Sequence, residues 1–116
     1  MKKWYLKFLE HNVGVLIYDE EKDMYSLDIS RPDYFKGRLE KCFLNDAMCR
    51  NWMESRLTPE YQQGYQLKMK KLGLNSEDPS HRMELFFLTK GCNINDGMWL
   101  ADHEDDSIEL APFYGL

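Results

Sequence analysis

Alternating apolar and polar positions at the beginning of the chain predict β-structure. Three short runs rich in aromatic and β-branched residues are separated by polar turns, and these runs cover residues 4–9, 13–18 and 24–29. Since successive side chains of a strand point to opposite faces, Tyr25, Leu27 and Ile29 should share the buried face. We therefore expect residues 1–30 to form an antiparallel meander of three strands.

Capping signals predict two helices after this meander. Asn45 is suited to cap a helix over residues 46–56, whose first residue is acidic and lies at the positive end of the helix dipole. The Thr-Pro pair at 58–59 marks a second helix start, and Gly73, which follows Lys-Lys-Leu, marks its end. Gly64 falls inside this second helix, where we interpret it as a site of close helix packing.

A third helix is predicted over residues 80–90. The Asp-Pro pair at 78–79 precedes it and Gly91 follows it. Apolar residues surround most of its circumference, which indicates a helix that is buried on most sides. Beyond it, residues 98–101 (MWLA) predict a short strand. The earlier residues 34–44 fit either a helical face or an irregular loop that covers the sheet.

These elements predict an α+β fold in one domain that spans residues 1–116. A small N-terminal antiparallel β-sheet packs against about three α-helices, and a short C-terminal β element follows. The acidic segment 91–116 holds a turn, this strand and an apolar tail, with a further strand predicted at 108–110. The predicted core consists of Leu6, Phe8, Val15, Ile17, Leu27, Trp52, Tyr65, Met69, Leu72, Met83, Phe86, Phe87 and Trp99.

The composition favours an intracellular protein. No run of residues approaches the roughly 20 apolar positions that a membrane span requires. Lys7 and Glu10 interrupt the apolar stretch near the N-terminus, which argues against a secretory signal. Cys42, Cys49 and Cys92 are an odd number and do not suggest a disulfide framework, so we expect buried thiols. We therefore expect a cytoplasmic protein that does not bind a membrane.

The net charge of −5 is concentrated at one end of the chain. Residues 1–90 hold 15 basic and 14 acidic residues, whereas residues 91–116 hold six acidic residues and no lysine or arginine. The basic cluster in the middle of the chain consists of Arg56, Lys68, Lys70 and Lys71. We interpret this cluster as helix-terminal charge and do not expect direct binding of nucleic acid. The acidic end is instead suited to a basic surface on a partner protein.

Chemically active residues do not form a recognisable catalytic pattern. The sequence has no nucleophile motif and no glycine-rich phosphate loop, and its cysteines and histidines lack the spacing of zinc ligands. Residues 93–97 resemble part of a calcium loop, but the residues at the ligand positions are wrong, which favours a turn. Acidic residues surround His103, where a small enzyme could find an acid–base pair. A solvated loop is the simpler interpretation, and we expect no enzyme activity, cofactor or metal.

Three strings of the sequence carry a family resemblance: LKFLEHNVGVLIYD, NWMESRLTPEYQ and MELFFLTKGCNINDGMWLAD. They resemble the β-hairpin, the helix junction and the turn and strand of the N-terminal region that precedes the kinase core in HipA-like serine/threonine kinases. The residues at the motif positions are Trp52, Arg56, Pro59, Gly91, Asp96 and Trp99. Met98 departs from the family, which usually has an aromatic residue there, and the sequence lacks the kinase core itself.

The resemblance implies a freestanding subdomain that regulates a protein by binding it. In split systems of this family, a small subunit of this kind restrains its cognate toxin kinase, which would make this chain an antitoxin. The candidate partner-binding residues are Asp96, Trp99, Asp102, Glu104, Asp105 and Asp106. The alternative is a phage or mobile-element inhibitor that binds a nucleic-acid-binding defence protein through its acidic C-terminal region.

Overall fold

The protein folds as a five-stranded antiparallel β-sheet with helices against one face, which confirms the α+β prediction. The computed structural model describes residues 1–35, 43–57, 64–92 and 97–107. The strands are β1 Lys2–Phe8, β2 His11–Asp19, β3 Met24–Ile29, β4 Phe43–Leu44 and β5 Met98–Ala101. The α-helices are α1 Asp46–Ser55, α2 Tyr65–Lys71 and α3 Pro79–Leu88, and a short 3₁₀ helix covers Pro32–Phe35. None of the helices described is long and apolar enough to cross a membrane.

The strand order is β4-β3-β2-β1-β5, so the short C-terminal strand belongs to the main sheet. It pairs antiparallel with β1, with Leu6 opposite Leu100 and Phe8 opposite Met98. The predicted meander is therefore extended on both sides, by β5 at one edge and by β4 at the other. The predictions for Cys42, for the helix start at 58–59, for Asp96 and for residues 108–116 lie outside the described residues.

The main core lies between one face of the sheet and the helices α1 and α3. Tyr25, Leu27 and Ile29 are all buried there, as their alternation predicts. The other fully buried side chains of this cluster include Leu6, Val13, Leu16, Leu44, Cys49, Met53 and Phe86. Phe8, Trp52, Met83 and Phe87 pack against the cluster but are only partly buried. A smaller cluster of Tyr65, Met69 and Leu85 joins α2 to the opposite side of α3.

Val15 and Ile17 were predicted to lie in the core, and this prediction is wrong because β2 contains a β-bulge. Leu6 pairs with Gly14 and Lys7 pairs with Asn12, so one additional residue, Val13, is inserted into β2. Gly14 and Leu16 then face the helices, whereas Val15 and Ile17 lie on the other face and are half-buried. The apolar run of β2 has no alternation that could have revealed this choice of face.

Gly14 allows β2 and β3 to approach each other closely. A Cβ atom at this position would lie 2.8 Å from the carbonyl oxygen of Asp28 on β3, which is shorter than van der Waals contact permits. The neighbouring Val13 carbonyl accepts hydrogen bonds from the backbone N–H groups of Ser30 (3.0 Å) and Arg31 (3.2 Å). The bulge therefore fixes both the end of β3 and its distance from β2.

Helix α1 begins as the sequence predicts. The Asn45 side chain accepts a hydrogen bond from the backbone N–H of Met48 at 3.0 Å, which satisfies one of the unpaired donors of the first turn. At the other end of this helix, Arg56 is buried and reaches across the molecule. Its Nε donates to the carbonyl of Gly91 (2.6 Å) and its Nη2 donates to the carbonyl of Met98 (3.0 Å). Arg56 therefore does not belong to a surface basic patch.

Helix α2 begins at Gly64, which corrects the interpretation of this residue. Gly64 has a φ angle of 92° and caps the helix, and no atom of the described residues lies within 4 Å of the position that a Cβ would take. Its role is therefore the left-handed backbone conformation and not close packing. The predicted end of the helix is confirmed, because Gly73 follows the last turn with a φ angle of 74°.

Helix α3 begins and ends near the predicted positions but is less buried than expected. The Asp78 side chain accepts from the backbone N–H of Ser80 at 3.0 Å, and Gly91 closes the helix with a hydrogen bond to the carbonyl of Phe86 at 2.8 Å. Leu85 and Phe86 are buried, whereas Leu88 is 48% exposed. One flank of this apolar helix is therefore open to solvent.

Candidate functional site

Four of the predicted partner-binding residues lie together in the loop that follows β5. Asp106 closes a turn, because its Oδ2 accepts the backbone N–H of His103 (2.9 Å) and its own N–H donates to the His103 carbonyl (3.1 Å). Asp102, Glu104 and Asp105 are exposed around this turn. Asp102 also lies 3.7 Å from Lys90 at the end of α3. We refer to residues 102–106 as the acidic loop.

Trp99 is separated from the acidic loop by its burial in the sheet. Its side chain is only 2% exposed, and its Nε1 donates to the carbonyl of Leu9 at 2.8 Å. The ammonium group of Lys7 lies 5.9 Å from the centre of the Trp99 ring. Trp99 therefore holds the edge strand β5 against the end of β1, as its place in the predicted core requires. Asp96 lies outside the described residues.

Sequence reasoning missed an open groove along the exposed flank of α3. Two adjoining cavities of about 900 and 480 Å³ form this groove, and Tyr25 and Phe87 line both of them. The wall contributed by α3 consists of Pro79, Ser80, Met83, Glu84, Phe87 and Leu88, at successive helical turns. The facing wall includes Lys2, Trp4, Tyr18, Tyr25 and Arg50. We call this feature the α3 groove.

The floor of the α3 groove is a row of neighbouring aromatic rings. The ring centres of Trp4 and Phe87 are 4.7 Å apart, and those of Phe87 and Tyr25 are 6.3 Å apart. Tyr18 continues the row at 4.6 Å from Tyr25. Rings at these distances support one another, and together they present a rigid apolar surface that requires little ordering when a ligand binds.

Arg50 fixes the wall of the groove beside Tyr25. Its guanidinium carbon lies 5.1 Å from the centre of the Tyr25 ring. Its Nε donates to both oxygens of Asp46 (3.0 and 3.1 Å), and its Nη2 donates to the carbonyl of Asp23 (2.9 Å). The Asp46 carboxylate also accepts the backbone N–H of Tyr25 at 2.7 Å. The guanidinium is thus held in place by charge-assisted hydrogen bonds.

Asp23 and Tyr18 line the groove near the β2–β3 turn. The Tyr18 hydroxyl donates to Asp23 Oδ1 at 2.7 Å. This hydrogen bond, together with partial desolvation and the negative charge of Asp23, raises the pKa of Tyr18 to about 12. The phenol therefore remains neutral and acts as a hydrogen-bond donor throughout the physiological pH range.

Charges at the rim of the groove are not all paired. Lys90 is close to Asp102, and Arg50 is bound to Asp46 and Asp23. Lys2 and Glu84 are exposed, and neither side chain has an ionic partner among the residues that the structure describes. Lys2 lies at the end of the groove near Lys90, and Glu84 lines the other cavity.

The described part of the chain offers little for metal binding or nucleophilic chemistry. Histidine, cysteine and carboxylate side chains form no group of three that could hold a metal ion among residues 1–35, 43–57, 64–92 and 97–107. The Cys49 thiol is fully buried, and this burial raises its pKa to about 12, which suppresses the reactive thiolate. His103 is exposed on the acidic loop.

Comparisons with known proteins return no relative for this chain. No protein-family model matches it, and neither a curated protein nor a solved structure is significantly similar to it.

Proposed function

We propose that this protein is a non-enzymatic regulatory module that binds a partner protein through the α3 groove. The observation that carries the proposal is an open groove of about 900 Å³ with an aromatic floor beside the exposed apolar side chain of Leu88. Grooves with an apolar floor and polar groups at the rim are typical binding sites for an amphipathic segment of another protein. The fixed positions of Tyr25 and Arg50 reduce the entropic cost of binding.

A HipA-like toxin kinase is the partner that we test first. The support for this choice is the sequence resemblance around Trp52, Arg56 and Trp99. Arg56 and Trp99 are buried and maintain the fold, so residues elsewhere on the surface would contact the kinase. Binding at the α3 groove would restrain the kinase by occupying or holding one of its apolar segments.

The test compares two exposed leucines, one in the groove and one outside it. Leu88→Glu places a charge in the groove, whereas Leu67→Glu places the same charge on α2, where the leucine is 62% exposed. Affinity capture identifies the partner, and calorimetry with the purified pair measures each variant. We expect Leu88→Glu to weaken binding at least tenfold, because a buried carboxylate without a counter-charge is costly. Leu67→Glu should bind as the wild type does. Equal affinities for both variants would exclude the groove.

The exposed acidic loop favours a second candidate function. An inhibitor of a nucleic-acid-binding defence protein would present carboxylates to the basic surface of that protein, and the exposure of Asp102, Glu104 and Asp105 supports this candidate. Glu104→Lys should then slow association, and the effect should diminish at high salt. Glu77→Lys is the matched control on an exposed residue away from this loop. Association that is unchanged at both salt concentrations, or a target that still binds nucleic acid normally, would count against this function.

A further inference from the structure

We infer that the α3 groove receives a short amphipathic helix with a carboxylate at one end of its apolar face and a lysine or arginine at the other. This inference specifies the occupant of the proposed binding site and therefore rests on the proposed function. It is based on the hydrogen-bonding state of the backbone around the groove, on the spacing along α3 and on the two rim charges that have no ionic partner among the described residues.

Several backbone groups of β3 and β5 beside the groove are already paired, which leaves little opportunity for an added strand there. On β3, the backbone N–H of Tyr25 is already bound to Asp46, and Leu27 and Asp28 are paired with β4. On β5, the backbone N–H of Leu100 donates to the carbonyl of Lys90 at 2.7 Å. An occupant must therefore satisfy its own backbone hydrogen bonds while it buries side chains, and a helix does so.

The positions of the two rim charges set the spacing of the occupant. Glu84 lies four residues, or about 6 Å along the helix axis, before the last residue of α3, and Lys90 follows two residues beyond that end. Lys2 and Lys90 line the same cavity at the far end of the groove, and Asp102, which lies 3.7 Å from Lys90, lines it too. An occupying helix that runs beside α3 covers this distance in about two turns. Its contact face would carry an acid at position i opposite Lys2, apolar residues at i+3 and i+4 over Phe87, and a base at i+7 opposite Glu84.

A library of helical peptides measures which residues the groove prefers at the four contact positions. The probe is a displayed set of 14-residue, alanine-rich helical peptides randomised at positions i, i+3, i+4 and i+7. It is selected on the wild-type protein, and peptides that also bind Leu88→Glu are removed. We expect enrichment of apolar residues at the two inner positions and of opposite charges at the two outer positions. The Lys2→Glu, Glu84→Lys double variant should enrich peptides in which the outer charges are exchanged.

A synthetic pair of enriched and charge-exchanged peptides gives the quantitative test by fluorescence anisotropy. The wild-type protein should prefer the enriched peptide by about fivefold and the double variant should prefer the other, with both preferences reduced in high salt. Should the double variant fold poorly by circular dichroism, Lys2→Gln and Glu84→Gln must each reduce the wild-type preference. Apolar enrichment without a charge preference would overturn this inference and leave the proposed function intact. The absence of any Leu88-dependent peptide would overturn both.

Discussion

The contacts of Asp46 connect separate parts of the molecule. It begins α1, accepts the backbone N–H of Tyr25 and binds Arg50, so one carboxylate joins a helix, a strand and the wall of the groove. Its side chain is 24% exposed, so water screens these contacts only partly. The contribution of Asp46 to stability should therefore exceed that of an ordinary surface ion pair.

Replacement of Asp46 by alanine tests this contribution. We expect the free energy of unfolding to fall by about 2 kcal/mol, because a hydrogen bond to a charged group is lost and a backbone donor is left without its partner. Urea denaturation followed by tryptophan fluorescence measures the change. Asp33→Ala is the control, since both members of its pair with Arg31 are exposed and water screens their attraction. Equal effects of the two substitutions would contradict the prediction.

The ionisation of Asp46 should also make the stability of the protein depend on pH. The hydrogen bond from the Tyr25 backbone and the nearby Arg50 guanidinium lower the pKa of Asp46 in the folded protein. Its contribution is therefore fully present above the pKa of the unfolded chain, about 3.9, and is lost as the pH falls through the lower folded pKa. The difference in urea midpoint between the wild type and Asp46→Asn should be larger at pH 7 than at pH 2.5. A constant difference would show that the charge of Asp46 is not responsible.

The Cys49 thiol should not react with alkylating reagents in the folded protein. Its burial and its raised pKa, about 12, leave almost no thiolate at pH 8. Iodoacetamide should therefore leave Cys49 unmodified in buffer and alkylate it in 8 M urea. Peptide mass spectrometry locates the modification, and Cys49→Ser verifies the peptide assignment. Rapid alkylation without denaturant would mean that α1 separates easily from the sheet.

At the scale of elements, the sequence predicted structure best where a single side chain determines the outcome. The caps at Asn45 and Asp78 and the glycine after α2 act within one turn of chain, so local reasoning located them. The choice of face in β2 depends instead on a bulge that follows from pairing with β1. The run from Val13 to Tyr18 is apolar at nearly every position, and its periodicity could not reveal that bulge.

The two candidate sites also differ in whether they depend on neighbouring residues or on distant parts of the chain. The acidic loop is contiguous in sequence, so its residues could be predicted to lie together. The α3 groove is assembled from the beginning of β1, the β2–β3 turn, α1 and α3, and no sequence window contains it. The apolar circumference of α3 suggested burial on most sides. In the structure, Leu85 and Phe86 are buried in the interior, whereas Met83 and Leu88 lie along the groove.

Gly14→Ala tests the close approach of β2 and β3. The added Cβ would meet the Asp28 carbonyl oxygen at 2.8 Å, and both partners belong to the backbone of a paired sheet. We expect a loss of about 1–3 kcal/mol in the free energy of unfolding, as for other overpacked sites. Thermal denaturation measures it, with Asn12→Ala, an exposed position on the same strand, as the control. A Gly14→Ala variant as stable as the wild type would mean that the strands separate without cost.

At the scale of the whole molecule, the sheet joins the two ends of the described chain. Strand β5 pairs with β1, and Leu100 belongs to the same core as Leu27 and Cys49. The main core of the described residues is therefore built from strands at both ends of the chain. We therefore propose that the chain is one cooperative domain.

Unfolding in urea should accordingly follow a single transition. Circular dichroism and tryptophan fluorescence should give coincident curves. Leu100→Ala should shift both curves equally by about 2–5 kcal/mol, because it opens a cavity in the shared core. Leu67→Ala, at an exposed position on α2, should shift neither by more than about 0.5 kcal/mol. Two separate transitions would show that the helices and the sheet are independent units.

The bonds of Arg56 couple three elements of the fold. The guanidinium belongs to the residue that follows α1, and it holds the carbonyls of Gly91, beyond the end of α3, and of Met98, at the start of β5. One side chain therefore sets the spacing between a helix end and an edge strand. Loss of this one residue would release both of them from α1 at the same time.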